Sequence, residues 1–453
     1  MLLSRSTECS IRIRGFTGTA GEPCGVAGIK GFLGAKPYVV PATTLTRHYV
    51  IHGPTGSGKS VLLTNLAYQI AALPERPAIV VIDIKDGTLC EDILRVLPSA
   101  RLSDCVYFDI ADTGYPVAFS PLAGVPPQGR TLAAAELITC FKRLFDDAWG
   151  PRLEYVLLMV LLTLLETPAA TLIDVPRLLT DERYRAWAVP HVTNFSVQNF
   201  WGHDFPAIVG RGGSTANVQS ILNKLGIFAF EQVRNVLGQG RPGIDVRACM
   251  DAGKILLCNF PQGIVGEAAC TFLASLMATR VQLAAQARAD TPRERRRLTV
   301  LVADEFQNFV AAGGTFEKCV TEGRSLALGI LAACQFDKQL PPLLRLTLEK
   351  NCQYRLVCSS QGPGHVVRVT PLQTDHPDEL TVETRALPPI PNTNDLALRQ
   401  VRDATRRLFA RPRAEVEAAI HDHLTTTQDT TQRHEETKPS KEAAYAHRFF
   451  EEA

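Results

Sequence analysis

The chain has 453 residues, 45% of them hydrophobic and 21% charged, and a formal net charge of +2. This is an ordinary globular composition with room for two or three domains, and a near-neutral total neither demands nor excludes a nucleic acid partner, because a basic channel can hide within it. Twelve cysteines are scattered without a C-x-x-C pair, which argues against a disulfide framework or a zinc site and for a reducing cytoplasm.

The N-terminal sequence MLLSRSTECSIRIRG has only a short apolar patch before its charges, so no secretory signal is read there. Residues 1–43 are glycine-rich with little periodicity, and read either as a loose leader or as a small packed strand pair. From residue 44 the pattern becomes α/β. Thr46–Ile51 predicts a short strand and Ser60–Ala72 a helix. Between them lies HGPTGSGKS, in which Gly53, Pro54, Thr55, Gly56, Ser57, Gly58, Lys59 and Ser60 spell G-x-x-x-x-G-K-S. A phosphate tail needs a tight turn whose N–H groups point inward, and glycines permit it. Lys59 can set its charge against the β- and γ-phosphates, and the Ser60 hydroxyl can ligate Mg2+. The strand and helix that flank the loop put the phosphates at a helix N-terminus.

Ala78–Asp83 (AIVVID) suits a strand buried on both faces, Glu91–Leu97 a helix, and Cys105–Asp109 a third strand. Asp83 at its strand end is either a polar ligand near the Mg2+ water shell or a turn former. Residues 130–235 have helical spacing and read as an inserted all-α domain; within them, Tyr155–Leu165 is too short to cross a bilayer and reads as a buried helix. Strands resume at Lys254–Asn259. A helix over 266–289 follows, then an arginine-rich loop with Arg293, Arg295, Arg296 and Arg297. Leu298–Ala303 is a strand that ends on Asp304 and Glu305. Leu326–Ala333 is the next, ending near Gln335, and Tyr354–Cys358 one more. Alternating strands and helices around a phosphate loop predict a parallel sheet that binds ligands at strand C-termini. The α/β domain therefore takes in 44–129 and 236–386. A proline-rich linker at 387–395, a charged helix at 396–423 and a polar, disordered tail from 424 complete the expected order. Cys90, Cys258, Cys270, Cys334 and Cys358 lie in apolar runs and read as small core residues.

Asp304 at the end of an apolar strand is placed to hold Mg2+, and Glu305 to polarise the water that attacks the γ-phosphate; an acidic helix N-cap is the plainer reading of the same pair. Gln335 can sense the γ-phosphate or simply satisfy a loop. Arg324, in TEGRSLALG, is either a solvated residue or a group that acts across a subunit boundary.

From about Arg47 to Cys358 this order of motifs resembles the conjugative coupling ATPases of type IV secretion (the VirD4/TraG/TrwB-like family) and their soluble HerA/FtsK-like relatives. The resemblance rests on RHYVIHGPTGSGKSVLLTNL, VVIDIKDG, VYFDIAD with YPVAFSPLAG, the helical insert, GKILLCNFPQGIVGE, LVADEFQNF, TEGRSLALGILAACQF and KNCQYRL. IDIKDG lacks the family's proline, Ser120 stands where an asparagine is usual, and Ser325 follows Arg324 where a lysine is common. The resemblance implies a RecA-like P-loop motor, a hexameric ring around DNA, with ATP and Mg2+ at subunit interfaces. It makes Arg324 an arginine finger toward a neighbour and Gln335 a sensor. It implies a relaxase and membrane-bound channel components as partners, and a cytoplasmic protein brought to the inner membrane by them. A HerA-like helicase in DNA end processing and a protein-translocating or packaging ATPase are the alternatives. The cluster Arg402, Arg406, Arg407, Arg411 and Arg413 reads as DNA-facing or as a solvated surface.

Overall fold

The computed structural model describes residues 10–13, 38–144, 149–209, 218–241, 243–310, 316–359, 366–372, 380–383 and 394–425. Its strands are β1 (Ser10–Ile13), β2 (Tyr38–Pro41), β3 (Tyr49–His52), β4 (Ala78–Asp83), β5 (Cys105–Asp109), β6 (Ile255–Asn259), β7 (Thr299–Ala303), β8 (Leu328–Cys334), β9 (Tyr354–Ser359), β10 (Val366–Pro371) and β11 (Leu380–Glu383). β1 and β2 form an antiparallel pair. The other nine form one sheet in the order β11-β10-β9-β3-β8-β7-β4-β6-β5. The run from β9 to β6 is parallel throughout, with register partners such as His52↔Cys334 and Asp83↔Asn259.

Sequence explains this order. β4, β6, β7 and β8 are apolar at nearly every position and buried at every one, as central parallel strands covered on both faces must be. β9 and β10 alternate buried and half-exposed residues and close one side of the sheet by antiparallel pairing. The expected α/β class with a largely parallel sheet is therefore present, and the antiparallel β10 and β11 are an addition to it.

Contacts divide the described residues into two compact units. The first takes in those of Met1–Tyr107, Arg247–Asn259 and Ala284–Arg402. Its core joins Ile51, Leu63, Ile70, Ile79, Val81, Ile93, Leu257, Val302, Leu331 and Leu356, all almost fully buried. Burying each such aliphatic side chain contributes about 1.5–3 kcal/mol. A buried polar group holds one end of this unit: Asp104 accepts from Arg101 Nε at 2.8 Å and lies 3.6 Å from Lys254 Nζ.

The second unit takes in the described residues of Phe108–Val246, Phe260–Leu283 and Asp403–Ala453. It is mainly helical, with Arg130–Leu144 and the wholly apolar-faced Pro151–Glu166 as its longest helices before residue 246. Phe141, Phe228 and Phe272 pack ring to ring, and Trp201 donates from Nε1 to the Thr163 hydroxyl at 2.8 Å. His423 stands 2.8 Å from Asp174 and ties Arg413–Thr425 to this unit.

Several boundaries move. Thr46 and Arg47 belong to a 3-10 turn, Ala42–Arg47, and His48 at φ 55° breaks the backbone before β3 begins. The single charged helix expected over 396–423 is two helices, Asn394–Phe409 and Arg413–Thr425, because Pro412 has no N–H to continue the first. Most of the expected linker and the tail from 426 lie outside the described residues, as does most of the leader. One helical stretch, Glu267–Asp290, is long and apolar enough to cross a membrane by length and composition, but 78% of its apolar window is buried in the protein, as a core helix would be. Cys90, Cys258, Cys270, Cys334 and Cys358 are buried free thiols.

Candidate nucleotide site

Adjacent parallel strands end at one place. β3 leads into Gly53–Ser60, its neighbour β8 into Gln335, the next strand β7 into Asp304 and Glu305, and the next, β4, stops at Asp83. The motifs that lie hundreds of residues apart in sequence meet because a parallel sheet gathers its C-terminal ends.

The loop backbone needs its glycines. A Cβ on Gly53 would lie 2.4 Å from Ser57 Oγ and 2.9 Å from the Cys358 carbonyl oxygen. Gly58 sits at φ 88°, in the left-handed region, immediately before the helix Lys59–Ala71. That helix has no side-chain cap and no acidic residue in its first turn, so its first N–H groups and its positive dipole end are free for an anion. Lys59 is 7% exposed and donates from Nζ to the carbonyl oxygens of Gly53 at 2.5 Å and Pro54 at 3.4 Å. An ammonium held by two carbonyls within the loop stands where phosphate oxygens would draw it.

Across β8, Asp304 and Glu305 are 3% and 6% exposed. Burial, with the charges of Glu305 and Asp83 nearby, pushes the Asp304 carboxyl up to about 6, and the Lys59 charge opposes that shift. Glu305 has a left-handed backbone, φ 46° and ψ 44°, unusual for a side chain of its size. That turn places its carboxylate between two amides: Gln335 Nε2 donates to one oxygen at 3.2 Å and Gln307 Nε2 to the other at 2.7 Å. Two adjacent buried carboxylates, Asp304 with its pKa raised, form a site that a divalent cation would relieve, and with Ser60 they fit Mg2+ chemistry. Among the described residues no cluster of three His, Cys, Asp or Glu side chains stands as a separate metal site.

Asp83 is engaged by backbone. Its oxygens accept from the N–H groups of Lys85 at 3.1 Å and Leu89 at 3.0 Å, so it closes the turn before the helix Thr88–Val96. Of the two readings of this residue, the turn former matches its contacts.

Arg324 is not with the others. It is exposed in the turn before β8, whereas Gln335 follows that strand. The seven residues of β8 separate the two ends by about 20 Å. The turn is held by Arg296, which donates from Nη1 to the Ser325 carbonyl at 2.6 Å. Several arginines of the basic clusters are engaged with the protein itself. Arg402 pairs with Glu91 at 3.0 Å, Arg406 with Asp112 at 2.7 Å and Arg413 with Glu231 at 2.8 Å. Arg297 donates to the Arg76 carbonyl.

Sequence reasoning passed over two contributors. Gln307 was visible only as the second residue after Glu305. His52 stands in sequence only as the first residue of HGPTGSGKS. It is 6% exposed, its Nδ1 lies 3.1 Å from Cys334 Sγ and its Nε2 lies 2.7 Å from Asp337 Oδ1. No local pattern marks those partners, which are far away in the chain.

No protein-family model matches this chain, and no curated protein matches it. Solved structures do. The plasmid coupling protein TrwB in complex with ADP and Mg2+ superposes with a TM-score of 0.56 at 16% identity, covering 86% of this chain and 98% of that one. The same protein with a non-hydrolysable GTP analogue gives a TM-score of 0.53 at 16% identity, over 86% and 97%. The chain has the TrwB fold. It is a RecA-like α/β fold, and at this identity the likeness to TrwB speaks for the fold alone. The TrwB fold leaves the site to be argued from the residues that this chain puts in it.

Proposed function

We propose that the chain is a P-loop ATPase that works as a coupling protein or DNA translocase of a type IV secretion system. The observation that carries the ATPase reading is the meeting of Lys59, Asp304, Glu305 and Gln335 at the ends of the adjacent strands β3, β7 and β8. TrwB, whose fold it shares, is a plasmid coupling protein described in complex with ADP and Mg2+, and the ordered motifs of the sequence support the same reading.

In this reading Gly53–Ser60 wraps the phosphates with backbone N–H groups and Lys59 turns from the Gly53 carbonyl toward the β- and γ-phosphates. Mg2+, held by Ser60 and Asp304, would supply charge neutralisation for the transferred phosphoryl group. Glu305 takes a proton from the attacking water, and its two amide partners fix the carboxylate that receives it. Gln335 reports the γ-phosphate. Arg324 is about 20 Å from its own chain's site, so it can complete only the site of another copy. The reading therefore takes a ring with ATP between subunits, six copies being the family's expected number, with DNA moving through it and with relaxase and channel components as partners.

The basic clusters lend that substrate less support than their sequence suggested. Arg402, Arg406 and Arg413 are paired with acids, which favours the protein-translocating alternative as the second reading. One experiment separates them. ATP hydrolysis by the full chain is measured with and without single- and double-stranded DNA, alongside Lys59→Ala and Glu305→Gln. Stimulation by DNA is expected. Glu305→Gln should bind nucleotide with near wild-type affinity and lose about 100-fold or more in kcat, and Lys59→Ala should lose binding or hydrolysis. A fully active Lys59→Ala chain overturns the site, and ATPase activity indifferent to both forms of DNA moves the cargo to protein.

A further inference from the structure

His52 is the last residue of β3 and directly precedes the phosphate loop. Its strand partner in β8 is Cys334, the residue before Gln335. The imidazole reaches past that partner. Nδ1 lies 3.1 Å from Cys334 Sγ on one side of Gln335, and Nε2 lies 2.7 Å from Asp337 Oδ1 on the other. The Nε2 contact is close without being aligned as a hydrogen bond, so it is electrostatic in character. Gln335, between these two anchored neighbours, donates to Glu305 at 3.2 Å.

We infer that His52 is a positioning residue that fixes the Gln335 segment against the phosphate loop and so aims Gln335 at Glu305 and the γ-phosphate. The inference rests on the ATPase reading above and adds to it a residue outside its motifs. Three observations carry it. The ring is buried at the junction of β3 and β8, where a polar side chain has to be satisfied by its immediate neighbours. Its contacts fall on the residue before Gln335 and on the second residue after it, and not on distant structure. The thiol of Cys334 is kept protonated by burial, its pKa pushed up to about 12, so Sγ–H can donate to Nδ1 and leave Nε2–H to face the Asp337 carboxylate. A loop that must move when the γ-phosphate departs is thereby hinged on the strand that carries the phosphates.

The test uses the full chain and steady-state ATP hydrolysis. His52→Phe keeps the ring volume and removes both polar contacts. It should lower kcat by about 10-fold or more, as loss of a supporting residue behind a functional group does, with KM changed by no more than about twofold. His52→Gln, smaller but able to donate, should recover part of that kcat. A space-filling role predicts the reverse order of the two variants. Asp337→Asn, a near-isosteric change at a side chain that is 41% exposed, carries the test if His52→Phe does not fold: its kcat should fall in the same direction, again with KM kept. Wild-type kcat in His52→Phe or in Asp337→Asn, or a loss confined to KM, overturns the positioning role while leaving the ATPase reading intact. Absence of hydrolysis by the wild-type chain overturns both.

Discussion

Asp304 is the residue at which stability and function pull apart. Its carboxyl is pushed up to about 6, first by burial and then by the charges of Glu305 and Asp83. An unfolded aspartate titrates near pH ~4, so between about pH 4 and about 6 the folded chain holds a proton that the unfolded chain has lost. The contribution of this group to stability is full below that window and falls away as pH rises through it. His48 acts in the opposite sense. Burial depresses it to about 4, so its contribution is full above the ordinary histidine range and is lost as pH falls. Asp304→Asn removes the first effect and leaves the second. The metal-free variant should melt higher than wild type at neutral pH, by about 1–3 kcal/mol of stability, and its stability should climb steadily with pH from about 4 to 6.5. Thermal melts across that range without divalent cation check both; an equal or lower melting temperature at neutral pH would show that the Asp304 charge is already relieved in the protein.

At the scale of elements, β8 depends on a residue without a side chain. A Cβ on Gly329 would lie 2.3 Å from the backbone oxygen of Leu45. Backbone cannot turn aside as a rotamer does, so Gly329→Ala has to shift either the strand or the turn Ala42–Arg47, at about 1–3 kcal/mol. Denaturant unfolding should show that loss, and an unchanged midpoint would contradict this packing. Buried strands were legible in sequence because burial writes a continuous apolar run: the central Ala78–Asp83 and the edge strand Cys105–Asp109 both have the boundaries read from sequence. The helix after the phosphate loop starts one residue earlier than read, at Lys59. β10 and β11 were not legible. β10 is half-exposed, so its alternation is diluted by polar residues, and its pairing is decided by the neighbouring β9 rather than by its own composition. In the site, Lys59 was legible from its glycine-loop pattern, and Asp304, Glu305 and Gln335 because each closely follows a strongly apolar strand. The grip of His52 on Asp337 was not, since sheet register and not spacing brings them together. Whether Asp83 is a ligand or a turn former was also beyond sequence, because the answer lies in which N–H groups point at its oxygens.

For the whole molecule, the separation of Arg324 from Gln335 makes the proposed ring testable. Arg324→Ala and Lys59→Ala chains should each be inactive alone. Mixed, they should regain part of the hydrolysis, because some interfaces then pair an intact phosphate loop with an intact arginine. No recovery at any mixing ratio would make Arg324 a residue of its own turn. A strand flanked on both sides by hydrogen-bonded parallel neighbours is stiff along its axis, and β8 is such a strand. In the proposed ring it would serve as a push-rod: an axial displacement imposed at Gln335 when a phosphate leaves would be carried along the strand toward Arg324. Two nucleotide sites in such a ring would then exchange information at the cost of moving one strand, and the order in which subunits fire would be set by the fit of that strand between β3 and β7.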